Sequence, residues 1–273
     1  MINVTHSVSG DASVDLDVSI GLLDGAVKKL WPAPLIRIYR PAPTVAFTTR
    51  ERHLSGFTRA FAAAADAGFV PLVRRTGGRV AAYDRSCLLV DIVEPPQERQ
   101  DHRISFQRVA STIASVLRQL GVEANVGEVP GEYCPGDYSV NARGVVKLVG
   151  ISQRVSREFR LVSSMIAVDA APQLSDVLTR VNRELCFEWN PDTFGSAVEE
   201  NRSLTFEECE QSFLKAFTPD GALPIRWADL GGDARLTRTG TVSDDDDRTD
   251  GRVDGQISRD VNSSVKNLNS NIE

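Results

Sequence analysis

The chain has 273 residues but only three histidines, two methionines and four cysteines. The cysteines, Cys87, Cys134, Cys186 and Cys209, lie far apart and form no CxxC pair. That spacing excludes a zinc knuckle and a disulfide framework, so each thiol has to be judged alone and no metal ligands are assigned. No stretch approaches the roughly 18 to 20 unbroken apolar residues that span a bilayer. The first residues lack the basic start and apolar core of a secretory signal, so the expectation is a cytoplasmic protein without a membrane partner. A formal net charge of −6 also argues against nucleic acid, whose phosphates demand clustered positive charge.

Aromatic residues are absent from 228–273, a segment with ten acidic residues against six basic ones, including Asp244, Asp245, Asp246 and Asp247 in a row. Its net −4 is most of the charge of the whole chain. Without adjacent large apolar side chains it cannot bury enough surface to offset the entropy of ordering, so it reads as a disordered acidic tail. Residues 1–19 are expected to be an N-terminal extension, and 20–227 the folded domain.

Within 21–227 the pattern switches repeatedly between period 2 and period 3.6, the mark of a mixed α and β domain. Residues 35–39 and 44–48 read as strands joined by Pro41-Ala42-Pro43, and as neighbours in a sheet. Residues 54–68 read as a helix with Phe57 and Phe61 on a narrow apolar face and Gly68 as its stop. Strand character resumes at 69–74 and at 80–83. Ile104, Val109, Ile113, Val116, Leu117 and Leu120 share one side of a helix over 104–120. Two strands follow at 145–152 and 158–168, then helices at 172–185 and 204–217, the second opened by a capping-box pair, Thr205 and Glu208. Strands crowd the middle without regular βαβ alternation. The expected class is therefore α+β, with a mixed, largely antiparallel sheet flanked by helices.

Two segments stand out chemically. In Arg74-Arg75-Thr76-Gly77-Gly78-Arg79, paired glycines let backbone N–H groups approach a guest closely and three arginines favour an anion. A Gly-Gly turn between strands is also a common hairpin. In Gly131-Glu132-Tyr133-Cys134-Pro135-Gly136-Asp137-Tyr138, Cys134 is the one thiol in loop composition and hence the reachable one, although a loop cysteine is more often a spectator. Lys147 is a lone cation in the apolar run Val145-Val146-Lys147-Leu148-Val149. It either points outward from a half-exposed strand or inward to a site, where it needs an anionic or carbonyl partner.

Together these segments resemble the lipoate-protein ligase and biotin ligase superfamily over about residues 20 to 220. Residues 74–79 look like that family's Arg-Arg-x-Ser-Gly-Gly-Gly loop, with Tyr83-Asp84 where members often carry His-Asp. Lys147-Leu148-Val149-Gly150-Ile151-Ser152-Gln153 looks like its Lys-x-x-Gly-x-x-Gln strand. More narrowly, Cys134-Pro135-Gly136-Asp137-Tyr138 followed by Gly150-Ile151-Ser152-Gln153-Arg154 is similar to cysteine-dependent protein N-octanoyltransferases. The stretch 187–196 looks like the end of that catalytic domain.

The resemblance implies a lipoate/biotin ligase-like fold and an acyltransferase that moves an octanoyl or lipoyl group between proteins. Cys134 would form a thioester and then yield it to a lysine amine. Lys147 would polarise the acyl carbonyl and favour the thiolate. Arg75, Thr76, Gly77, Gly78, Arg79, Tyr83, Asp137, Gly150 and Gln153 would bind substrate. The implied donor is an acyl carrier or a glycine-cleavage carrier protein, and the acceptors are lipoyl-domain proteins. No cofactor is required by a transferase. The alternatives are an ATP-dependent lipoate ligase, which would use ATP and Mg, and a non-catalytic relative that binds an acylated carrier. Arg79 stands where ligases usually carry a third glycine, and Asp137 falls near the Asn-Asp that helps hold the metal nucleotide in ligases. The first departure favours transfer and the second a ligase.

Overall fold

Successive residues along the central strands point to opposite sides of the sheet, and nearly all are buried, so both sides carry a core. The computed structural model describes residues 3–8, 10–31, 33–95, 102–169, 172–218 and 223–224, all within one compact unit, Met1–Gly240. The expected acidic tail, 228–273, lies outside the described residues.

The main sheet contains β1 (Asn3–Val8), β2 (Leu35–Arg40), β6 (Cys87–Glu94), β7 (Ala124–Val126), β8 (Val140–Ala142), β9 (Val146–Val155), β10 (Arg160–Ala167) and β11 (Leu223–Pro224). Their spatial order is β11-β1-β2-β6-β10-β9-β8-β7. The six strands from β2 to β7 pair antiparallel, while β1 runs parallel to both β2 and β11. A second sheet, ordered β4-β3-β5, consists of β3 (Thr44–Thr48), β4 (Val70–Arg74) and β5 (Ala81–Tyr83). With its flanking helices this is the expected α+β architecture.

On one side, Ile36 and Ile38 of β2, Leu88, Val90 and Ile92 of β6, and Val162 and Ile166 of β10 meet Val109, Ile113 and Leu117 of α3 (His102–Gln119) and Phe213 of α6 (Phe206–Phe217). The opposite side presents Leu35, Leu89, Val93, Leu161 and Met165 to α1 (Ala12–Val27), and to the second sheet with α2 (Phe57–Asp66) and α4 (Pro172–Glu184). Phe57 and Phe61 of α2 pack on Phe47 at ring distances of 5.3 and 5.8 Å. Among the described residues no helix is long and apolar enough to cross a membrane.

Two sequence expectations read differently in three dimensions. Strands β2 and β3 are not neighbours: β2 pairs with β1 and β6, and β3 with β4 and β5. Pro41 and Pro43 cannot donate to a ladder, so the chain leaves the main sheet there and starts the second one. Residues 1–19, expected as an extension, supply β1 and the first half of α1, whose Ala12, Asp15, Val18 and Ser19 are buried. The capping box at the start of α6 is present, with Thr205 Oγ1 accepting from the Glu208 N–H at 3.2 Å.

Candidate active site

Strict alternation from Val149 would send Lys147 to the α3 side of the sheet. A bulge prevents this: Val140 pairs with Val149 but Asn141 pairs with Lys147, so Leu148 is an extra residue. Leu148 and Val149 both enter the α3-side core, and Lys147 is turned to the opposite side, where it lines a cavity of about 480 Å³. That volume is within the ordinary range for small-ligand sites.

Lys147 is 1% exposed. Its Nζ donates to Glu132 Oε1 at 2.9 Å, to the Tyr133 carbonyl at 3.0 Å and to the Cys134 carbonyl at 2.8 Å. An ammonium has three hydrogens, and here each has an acceptor. Glu132, also buried, accepts in addition from Ser139 Oγ at 2.6 Å and from the N–H groups of Gly136 and Val129 at 3.2 and 3.1 Å. The buried charge is therefore paired and hydrogen-bonded on both partners, as burial requires.

This bonded core shapes the loop that carries Cys134. The residue sits at φ +46°, in the left-handed region that non-glycine residues seldom occupy. Its half-buried sulfur faces the 75–79 loop and accepts from the Arg79 N–H at 3.0 Å. Gly78 is at φ +100°, and a Cβ there would stand 3.0 Å from both Cys134 Sγ and Arg74 Nη2. Glycine is thus required at 78 by backbone conformation and by the sulfur. Arg74 holds the loop from beneath through the Arg79 carbonyl at 2.7 Å, and Gly77 N–H donates to the Gln153 carbonyl at 3.3 Å. The 187–196 stretch buttresses the other side. Asn190 N–H donates to the Gly131 carbonyl at 2.8 Å, and Trp189 and Phe194 lie edge-on to Tyr133.

The structure brings Cys134, Lys147, Arg75, Thr76, Gly77, Gly78, Tyr83, Gly150 and Gln153 to the same cavity. Gln153 Oε1 is buried there without a hydrogen-bond partner among the described residues. Arg79 lies at an adjoining depression with Arg50 and Arg75, and its guanidinium is 4.9 Å from the Phe187 ring centre. Asp137 is exposed and lines neither space. Among the described residues no histidine lines the cavity, and no cluster of metal-ligating side chains is present.

Sequence reasoning missed two contributions. Glu132 is the first, although the demand of a buried Lys147 for an anion pointed to the acid two residues before Cys134. The second is α1, which supplies Leu16, Asp17 and Ile20 to the wall. Burial, with Asp11 adding repulsion, pushes the Asp17 carboxyl up. Beyond them lies a buried polar cluster in which Arg37 pairs with Asp15 at 2.6 Å, and Ser19 and Ser163 donate to Asp91. Burial pushes Asp91 up against the opposing pull of Arg37.

The thiols differ in kind. Burial pushes Cys87 up to about 12 and Cys209 up to about 11, which makes both inert. Cys186, against the expectation that Cys134 is the one reachable thiol, is exposed, but it lines neither the cavity nor the adjoining depression. Cys134 alone combines access, a sulfur-directed N–H and a cavity.

Residues 26–218 match the family model described as the lipoyl protein ligase A/B catalytic domain. An octanoyl-[GcvH]:protein N-octanoyltransferase of Exiguobacterium sibiricum is 28% identical over 153 residues, 52% of this chain and 56% of its own. A lipoyl-[GcvH]:protein N-lipoyltransferase of Listeria monocytogenes is 28% identical over 130 residues, 46% of this chain and 45% of its own. The chain thus spans about half the length of these curated relatives. In fold it is similar to a lipoate-protein ligase A bound with ATP, with a TM-score of 0.64 and 15% identity over 87% of this chain and 92% of that one. It is also similar to a putative lipoate protein ligase from T. acidophilum with bound lipoic acid, with a TM-score of 0.66 and 14% identity over 88% and 94%.

Proposed function

The chain belongs to the lipoyl protein ligase A/B catalytic-domain family, and from that premise we propose that it moves an octanoyl or lipoyl group from a carrier protein to a lysine of a lipoyl-domain protein through a Cys134 thioester. The observation that carries this reading is the sulfur of Cys134 at the wall of the cavity, 3.0 Å from the Arg79 N–H, on a loop held in the left-handed conformation.

In the first half-reaction the thiolate attacks the acyl carbonyl of the donor. The C–S bond forms, the bond to the donor's amine or thiol breaks, and the proton given up by Cys134 goes to that leaving group. In the second, the acceptor lysine amine attacks the thioester, an amide forms, and the departing sulfur regains a proton. No electron is transferred and no nucleotide is consumed. Covalent capture divides a transfer between two proteins into two simpler displacements. The Arg79 N–H is directed at the sulfur, where negative charge develops. Lys147 contributes a fixed positive charge behind the Cys134 carbonyl, and Gln153 Oε1 offers an acceptor to a substrate N–H. The names of the similar GcvH-dependent transferases support a glycine-cleavage carrier protein as donor.

The test is to incubate octanoylated carrier with an unmodified lipoyl domain, with and without ATP and magnesium, and to weigh the acceptor. An octanoyl gain that is independent of ATP is expected. Modification only with ATP, free acid and released pyrophosphate would establish a ligase instead. Carrier binding with no modification under either condition would make the protein a non-catalytic relative.

A further inference from the structure

The geometry around Lys147 leads to a role for a residue outside the sequence motifs, and the inference rests on Cys134 being the nucleophile. We propose that Glu132 is a positioning residue. With Lys147 it forms a buried latch that holds Cys134 in its left-handed conformation and its sulfur on the Arg79 N–H.

Both ends of the loop converge on one carboxylate. Glu132 takes the Val129 N–H before the cysteine, and the Gly136 N–H and Ser139 hydroxyl after it. Lys147 joins the same carboxylate to the carbonyls of Tyr133 and Cys134, the two that flank the Cys134 N–H and Cα. The peptide units on either side of the strained residue are therefore fixed by charge-assisted bonds inside the protein, where such bonds are strong. Since the three Lys147 hydrogens are already accepted, donating one to a substrate carbonyl would break part of the latch. Lys147 thus acts on Cys134 through the loop backbone, and the donor that touches sulfur is the Arg79 N–H.

A direct electrostatic role for the pair makes the opposite prediction, which allows a test by sign. The charged side chains lining the cavity and the adjoining depression are Lys147, Arg74, Arg75, Arg79, Arg50, Asp17 and Asp24; Glu132 pairs with Lys147, and the titratable Tyr133 packs against that ammonium. Removing the Glu132 carboxylate leaves this set more positive, so by charge alone the thiol would ionise at lower pH. If the carboxylate is a latch, its loss lets the loop relax, separates sulfur from the N–H and raises the pH of ionisation.

The experiment follows Cys134 alkylation by iodoacetamide over about pH 6 to 10 by peptide mass spectrometry, with exposed Cys186 as reference in the same sample. In Glu132→Ala the pH at half-limiting rate is expected to rise by about one unit, and kcat for acyl transfer to fall about 100-fold while KM for the donor stays within about threefold. Glu132→Gln keeps an acceptor for Lys147 and should lie between Glu132→Ala and the parent. Ser139→Ala leaves every charge in place and should give a smaller rise of the same sign. If Glu132→Ala fails to fold by circular dichroism, Ser139→Ala decides. An unchanged or lowered alkylation midpoint in the folded variants would overturn the latch. A parent protein without acyl transfer would overturn the catalytic reading alone, since the alkylation shift does not depend on it.

Discussion

The two sides of the main sheet are built from the same strands but to different ends. The side under α3 and α6 is filled: Ile36, Ile38, Leu88, Val90, Ile113, Leu117 and Phe213 close on one another. The side under α1 and the second sheet holds a cavity of about 480 Å³, a paired Glu132 and Lys147, and the Arg37, Asp15 and Asp91 cluster. Burial of polar groups is costly unless every partner is supplied, whereas apolar burial stabilises directly. The contrast is between a side filled by one apolar core and a side whose two apolar clusters surround the chemistry, and it shows why a single residue, Leu148, matters. As the bulge of β9 it moves Lys147 from the filled side to the hollow one.

Substitutions on the two sides should therefore separate stability from activity. The largest expected effect is on the hollow side. Lys147→Met leaves the Glu132 carboxylate buried without its cation, and a loss of about 3 to 5 kcal/mol in urea unfolding should accompany loss of transfer. On the filled side, Ile113→Ala should cost about 2 to 5 kcal/mol, while the specific activity of the remaining folded protein stays at the parent value. Equal losses of specific activity in both variants would erase the comparison.

A smaller effect is set by pH. Cys87 on the hollow side and Cys209 on α6 ionise only at about 12 and about 11 in the folded protein, against an ordinary value of 9.0. The unfolded chain gives up these protons first, so their contribution is intact below about pH 9 and falls as pH rises further. For fully buried Cys87 the loss is about 1.4 kcal/mol per pH unit up to its folded value. Cys87→Ala should flatten the alkaline limb of a stability curve, and a limb with unchanged slope would contradict the burial argument. The smallest stability effect belongs to Gly78→Ala, about 1 to 2 kcal/mol for a side chain forced to positive φ. Because the new methyl meets Cys134 Sγ, transfer should nonetheless fall by more than tenfold, which kinetics on the folded variant would show.

Much of this was legible from residue order, because period and punctuation are local properties. The α3 stripe from Val109 to Leu120, the capping box of α6, and strands β3, β4, β9 and β10 follow from spacing alone, whereas Ile104, expected on the same stripe, is exposed. Strand β6 did not stand out as an element, although it lies at the centre of the sheet. Its run Cys87-Leu88-Leu89-Val90 is apolar on both sides, so alternation vanishes where burial is two-sided. Pairing of β2 with β1 and β6 depends on segments distant in the chain, and the prolines only say where a ladder must stop. At the site, Cys134, the glycine loop and the side chains of Tyr83 and Gln153 could be named beforehand. The side taken by Lys147 could not, because a bulge reverses a period-2 argument and has no signature in Val-Lys-Leu-Val. Glu132 was hidden by its chemistry, since an acidic loop residue is usually solvated.

The covalent role of Cys134 is open to one direct measurement. The protein is mixed with octanoylated carrier in the absence of ATP and acceptor, and its intact mass is recorded before and after hydroxylamine. The account predicts a single octanoyl adduct that hydroxylamine removes and that Cys134→Ala does not form. An adduct that survives in Cys134→Ala, or none on the parent protein, would contradict it.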